Sequence, residues 1–301
     1  MPDHPWPPLR TGDRRALEAW LDDLVSENRF TIAVVFPVVG AISLYAAAMG
    51  WFPESLSFMA FNPWFILAGV VVMRLPLVAG LAPLVDRRAA LALAAVTVYA
   101  YGIELWGVTT GWPYGAFEYG IDLGPMLLGK VPIGLPVFFF PLVLNSYLLC
   151  LLLLGDRARS ALVRLPAVIA TVLAMDLVLD PAAVSLGFWA YDAGGLYYGV
   201  PWSNYAGWVL SATISVALFD IAFDGDALLD RLRSCGFMLD DLVSFVILWG
   251  AINAAFGNWI PLVIACVFGA GLLATDRFDF DVRETVPGTG WVAARAGRER
   301  P

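Results

Sequence analysis

The feature that most constrains this chain is a succession of long apolar runs that no water-soluble fold could bury. They lie at about 31–51, 64–84, 89–107, 134–154, 162–184 and 206–223, and a last apolar block extends from about 241 to 274. About 20 apolar residues in a helix cross the hydrocarbon core of a bilayer. The whole chain is 60% hydrophobic and 15% charged, where soluble domains hold about 45–50% apolar and about 25% charged residues. The expectation is an all-α, polytopic membrane bundle. The last block is too long for one span and is interrupted at Gly257-Asn258. Read as two spans, near 241–256 and 259–274, it gives about eight in all; each half is short, so a seven-span reading stays open.

Charge asymmetry favours eight. With eight spans, Arg10, Arg14, Arg15, Arg29, Arg87, Arg88, Arg157, Arg159, Arg164, Arg231, Arg233 and the tail from Arg277 to Arg300 fall on one side. The other side receives only Lys130, the chain's one lysine, and Arg74 lies inside a span. The positive-inside rule then predicts a cell-membrane protein with both termini cytoplasmic. Three segments follow: polar residues 1–29, with a short surface helix over Ala16 to Val25; one transmembrane domain over 30–275; and a polar tail over 276–301.

Other classes are excluded on composition. Cys150, Cys235 and Cys266 show no CxxC spacing, so neither a disulfide framework nor a zinc site is indicated. The one histidine, His4, sits in the N-terminal segment, which removes haem ligation and histidine-box chemistry within the membrane. No basic patch interleaved with aromatics suggests nucleic acid, and no GxGxxG fingerprint suggests a nucleotide.

Two connectors are unlike ordinary loops. GWPYGAFEYGIDLGPMLLGKVPIGLP (111–136) and GFWAYDAGGLYYGVPWSNYAGW (187–208) are dense in Gly, Pro, aromatics and acids. The span count places both on the non-cytoplasmic face, roofing a site. Near them lie four acids, Glu104, Glu118, Asp176 and Asp180. Ionisable groups inside spans are costly and are functional hypotheses by default. Asp176 and Asp180 are four apart, on one helical face. Pro181 makes Asp180 the expected end of its helix. Burial, the helix C-terminus and the like-charge pair all favour a protonated acid. The bland alternative is that these acids bond to Arg74, Lys130, Asn145 or tyrosine hydroxyls and only lock helices together. Aromatic faces beside acids add a means of holding a cation, and acids with π-faces together suggest carbocation chemistry. The loops also share a loose Trp-x-Tyr then Tyr-Gly pattern, compatible with an old duplication.

The segments GWPYGAFEYGIDLGPMLLGKVPIGLP, MDLVLDPAAVSLGFWAYD and YYGVPWSNYAGW resemble the signature segments of the membrane-bound carotenoid hydratases, over roughly Ala100 to Phe219, with the bacterioruberin branch nearest. The resemblance implies addition of water across the terminal isopropylidene double bond of a long acyclic carotenoid, from membrane lipid, without cofactor or metal. Association with other enzymes of carotenoid synthesis is a further implication. The chemistry assigns Asp180 as acid and Asp176 as its partner, with Glu104 or Glu118 positioning water. Trp112, Tyr114, Trp189 and Trp202 would line the end-group pocket, and Asn204 and Tyr198 would hold water or the new hydroxyl. Two rivals remain: a carotenoid-binding or transport protein, and a polyprenyl transferase suggested by the DxxxD at Asp176 and Asp180.

Overall fold

The computed structural model describes residues 14–277. His4, Arg10 and the arginine-rich tail beyond Arg277 lie outside them. The protein is an all-α bundle with two small β pairings at one end. Helix α1 (Arg14–Phe30) passes through a π-helical turn at Thr31–Val35 into α2 (Phe36–Ala48). The polar segment is therefore not a separate surface helix; its last turns continue into the first apolar helix. Arg29 fixes that junction by a two-pronged pairing with Asp240, at 2.8 and 2.9 Å.

Helix α3 (Pro63–Leu81) starts behind Asn62, whose side chain accepts from Trp64 N at 3.0 Å, and α4 (Arg87–Thr110) behind Asp86, which accepts from Ala89 N at 2.8 Å. Such caps satisfy amides that have no intrahelical partner. Helix α5 (Leu135–Leu154) is the pillar. It is apolar on every side and buried without a break from Pro141 to Leu151, as expected of a helix enclosed by others. Around it stand α6 (Ala161–Leu186) and α7 (Trp202–Ala222). A short amphipathic helix, α8 (Gly225–Ser234), which hydropathy alone does not reveal, buries Leu228, Leu229 and Leu232. Then follow α9 (Asp240–Phe256) and α10 (Trp259–Ala274), divided at Gly257-Asn258 where the sequence was split.

Among the described residues, six helices are long and apolar enough to cross a membrane: 14–48, 63–84, 87–110, 135–159, 161–186 and 202–222; α10 is a shorter apolar helix. The protein is a multi-pass membrane protein.

One sequence expectation is corrected. Asp180 does not end its helix, because α6 runs on through Pro181 to Leu186. Proline deprives the carbonyl four residues back of its amide partner. That carbonyl, of Leu177, instead accepts the Tyr197 hydroxyl at 3.2 Å. The neighbouring Val178 carbonyl accepts Asn253 Nδ2 at 2.8 Å, and the Pro181 carbonyl accepts Asn258 Nδ2 at 3.3 Å. Side chains from three other segments thus supply donors to the carbonyls around Pro181, as a helix within lipid requires.

A candidate active site beneath a two-stranded roof

The two aromatic connectors leave α4 and α6 at Gly111 and Gly187, both in the left-handed conformation (φ 76° for each). They are then zipped together. Strand β1 (Phe117–Tyr119) pairs antiparallel with β4 (Trp189–Tyr191), and the register sets Phe117 against Tyr191 and Tyr119 against Trp189. The pairing is extended by Gly120 N to Phe188 O and Asp192 N to Ala116 O, each 3.0 Å. A second, smaller hairpin joins β2 (Met126–Leu127) to β3 (Val131–Pro132). The supposed repeat does not organise the roof, since Trp189-Ala190-Tyr191 meets Phe117–Tyr119 and not Trp112-Pro113-Tyr114.

Strands alternate faces. Phe117, Tyr119, Trp189 and Tyr191 all line a cavity beneath the ribbon, while Glu118 and Ala190, between them, are exposed on its outer face. The cavity, of about 120 Å³, is walled by α4, α5, α6 and α7 and reached from below by Trp249 of α9. Its walls are almost wholly apolar and aromatic; Phe139 and Trp208 stack there with ring centres 5.4 Å apart.

Into this lining come carboxyl groups. Asp180 and Glu104 face the cavity. Tyr191 donates to Asp180 Oδ2 at 2.9 Å and Tyr119 to Glu104 Oε1 at 2.5 Å, so each roof strand holds one acid. Asn204 Nδ2 bridges the aspartates, donating to Asp180 Oδ2 at 2.6 Å and to Asp176 Oδ2 at 2.8 Å. Asp176 is fully buried (0% exposed) behind Asp180 (3%) and does not line the cavity; its Oδ1 has no protein partner. None of the ion pairs among the described residues involves Glu104, Asp176 or Asp180. The tyrosines beside them remain donors. Burial, reinforced by the nearby carboxylates, pushes the Tyr119, Tyr191 and Tyr114 hydroxyls above their ordinary range.

The structure brings together Asp180, Glu104, Tyr114, Trp189 and Asn204 on the cavity, with Asp176 just behind. It does not bring in Glu118, for the reason of strand alternation. Trp202 (67% exposed) opens α7 two residues before Asn204, which turns its side chain to the far side of the helix. Trp112 (58% exposed) stays outside while the next two residues turn inward. Tyr198 packs on Tyr197 and accepts Ile260 N at 3.2 Å, away from the cavity.

Sequence reasoning names tyrosine hydroxyls as partners for the acids without singling out Tyr119 or Tyr191; the period-two alternation around Glu118 and Ala190 is the signal for them. It also passed over Asp241. Arg74 and Asn145, offered as partners for the site acids, are engaged by Asp241 instead: Arg74 pairs with its Oδ1, and Asn145 donates to its Oδ2 at 2.6 Å. In the DxxxD, the Asn204 amide N–H lies between the two carboxylates.

Acids held by neutral donors at and just behind an aromatic cavity, within a bundle of long apolar helices, mark an integral membrane protein with a cavity suited to an apolar molecule. The chain belongs to the carotenoid biosynthesis protein family, whose model matches residues 61–272. It is 66% identical over 267 residues to the bisanhydrobacterioruberin hydratase of Haloarcula japonica, covering 89% of this chain and 90% of that relative. No solved structure matches it.

Proposed function

We propose that the protein is a carotenoid hydratase, a carbon–oxygen lyase. In this reading it adds water to the terminal isopropylidene double bond of a long acyclic carotenoid, of the bisanhydrobacterioruberin type. The family and the named relative support the class of reaction. One observation carries the mechanism. Two carboxyl groups without a cationic partner among the described residues, Asp180 and Glu104, face one apolar, aromatic cavity, and a third, Asp176, is joined to Asp180 behind it. Charging all three there would be expensive, so a proton is retained among them.

Asp180, at the cavity wall, delivers that proton to the less substituted alkene carbon. The π electrons form the new C–H bond, and a tertiary cation appears at the dimethyl carbon. The stacked faces of Phe139 and Trp208 and the negative carboxylates stabilise it. Water adds to the cation through an oxygen lone pair and loses a proton to Glu104. Return of that proton to Asp180 restores the starting state, and the net change is one water per double bond. Asp176, joined through Asn204, keeps Asp180 in place and shares its charge. No cofactor enters this scheme. The polyene lies in the lipid and offers one end at a time. The loop end faces away from the cytoplasm in the cell membrane, and both termini face inward.

Expressed in cells that accumulate anhydro-carotenoids, the protein should yield pigments heavier by one water for each end processed. In heavy water, each new tertiary alcohol should carry one deuterium on the adjacent carbon. Pigment that co-purifies intact and is never hydrated would overturn the reading in favour of a binding protein.

A further inference from the structure

Tyr114 leaves the first loop and descends between α4 and α7. Two glycines make the slot. A methyl group on Gly207 would lie 2.4 Å from Tyr114 Cδ1, and one on Gly107 would lie 3.1 Å from Cδ2, so the ring is held by both edges. Only residues without a side chain permit that approach from two facing helices. The depth of insertion has a consequence. The Tyr114 hydroxyl reaches Ser211, one turn beyond Gly207, at 2.6 Å, and Ser211 in turn bonds Tyr99 of α4 at 3.0 Å. Ser211 is fully buried, and the row is closed in by the rings of Trp208 and Phe139, which contact Tyr114 and Tyr99 respectively.

Three hydroxyls carry three protons, and the row contains two hydrogen bonds. One O–H is left to donate. Of the two end hydroxyls, Tyr114 belongs to a residue lining the cavity and Tyr99 does not. Burial first, and then the nearby Glu104, keep the proton on the Tyr114 hydroxyl. When Ser211 accepts from Tyr99 and donates to Tyr114, the O–H left to donate is that of Tyr114, the one member of the row on the cavity. A buried donor left unmet costs about 1–3 kcal/mol, so a wedge built to deliver one implies an oxygen acceptor there.

We propose that Tyr114 is the oxygen-binding residue of the cavity: its O–H holds the oxygen that is water before addition and tertiary alcohol afterwards, and Ser211 and Tyr99 are positioning residues that keep that proton aimed inward. This deepens the hydratase reading and rests on it for the identity of the alcohol, while the oxygen site itself can be probed without turnover. Dihydromyrcene carries the isopropylidene end, and dihydromyrcenol is its hydrate with a dimethyl carbinol end. Their binding to the purified protein, measured by competition with pigment, isolates the hydroxyl. The unaltered protein should prefer the alcohol. Tyr114→Phe keeps the ring in its slot and should cut alcohol affinity about tenfold, the worth of one good hydrogen bond, with hydrocarbon affinity unchanged. Ser211→Ala should do the same less strongly, and Gly207→Ala, by displacing the ring, should match Tyr114→Phe. A preference for the alcohol that survives in Tyr114→Phe overturns the proposal, even if Gly207→Ala fails to fold. Alcohol preference without any hydration in cells would sink the hydratase reading and leave the oxygen site standing; hydration without alcohol preference would do the reverse.

Discussion

The bundle encloses two kinds of acid, wholly or in part, and their partners set them apart. Asp240, Asp241 and Asp220 each meet an arginine: Arg29 at 2.8 Å, Arg74, and Arg164 at 2.5 Å. Among the described residues, Asp180, Asp176 and Glu104 meet only the hydroxyls of Tyr191 and Tyr119 and the amide of Asn204. Asp241 and Asp176 are equally buried, at 0% exposure, so depth does not separate the two kinds. An arginine partner fixes a carboxylate as a charge and fixes its geometry. Neutral donors orient a carboxyl group while leaving its protonation open. The first set locks helices together; the second is free to move a proton.

The sharpest way to break this distinction is to remove one carboxyl group from each set. Asp180→Asn keeps shape and hydrogen bonding but cannot give a proton. Hydrated pigment should fall by about 10²–10⁴-fold, the usual worth of a general acid, with unchanged yield of folded protein from the membrane. Pigment mass spectra beside a detergent melting curve read both quantities. Asp241→Asn should do the opposite. It strands Arg74 in the interior, and removing one partner of a buried pair costs about 3–5 kcal/mol. The melting temperature should drop sharply, while hydration per folded molecule stays near normal. A stable Asp241→Asn protein with lost activity would erase the contrast.

How far this contrast could be read from the sequence follows from the residues themselves. The apolar runs, their division at Gly257-Asn258 and the two aromatic connectors are local signals: helices follow the runs, a break falls at Gly257-Asn258, and short strands and loops form in the connectors. The pairing of Asp176 with Asp180 is also local, being one turn of one helix. Which acids receive the arginines is not local: Arg74 and Asp241 are 167 residues apart, and Arg29 and Asp240 are 211 apart. Pro181 misled for the same reason, since the donors that carry α6 past it come from Tyr197, Asn253 and Asn258. The strand pairing that sorts Tyr119 and Tyr191 inward from Glu118 outward also depends on two loops meeting.

A smaller effect sharpens the role of the neutral donors. Tyr191→Phe and Tyr119→Phe each remove one hydroxyl from one acid and leave the ring in the wall. Hydrogen bonds to charged groups are worth about 1.5–3 kcal/mol, so each should slow hydration by roughly ten- to a hundredfold. Stability should change little, because each acid can keep its proton when its donor is gone. Turnover of pigment in membranes, normalised to folded protein, gives the comparison; an unchanged rate in both variants would reduce these tyrosines to packing.

The smallest effect is the most discriminating for the geometry of the roof. Glu104 and Glu118 both lie near the site in sequence, and chemistry alone treats them as equals. In the folded protein they lie on opposite sides of β1: Tyr119 reaches in to Glu104, while Glu118, one residue earlier on a strand, points out. Glu104→Gln should therefore cost activity on the scale of a lost base. Glu118→Gln, touching neither cavity nor ribbon hydrogen bonds, should stay within about twofold, as exposed substitutions usually shift stability by no more than about 0.5 kcal/mol. Because the strand period is two, a slip of one residue in the pairing of β1 with β4 would turn Glu118 inward and Tyr119 outward, and Glu118→Gln would then cost activity too. Equal losses from both glutamines, or a larger one from Glu118→Gln, would mean that the roof is registered differently and that its tyrosines do not hold the acids.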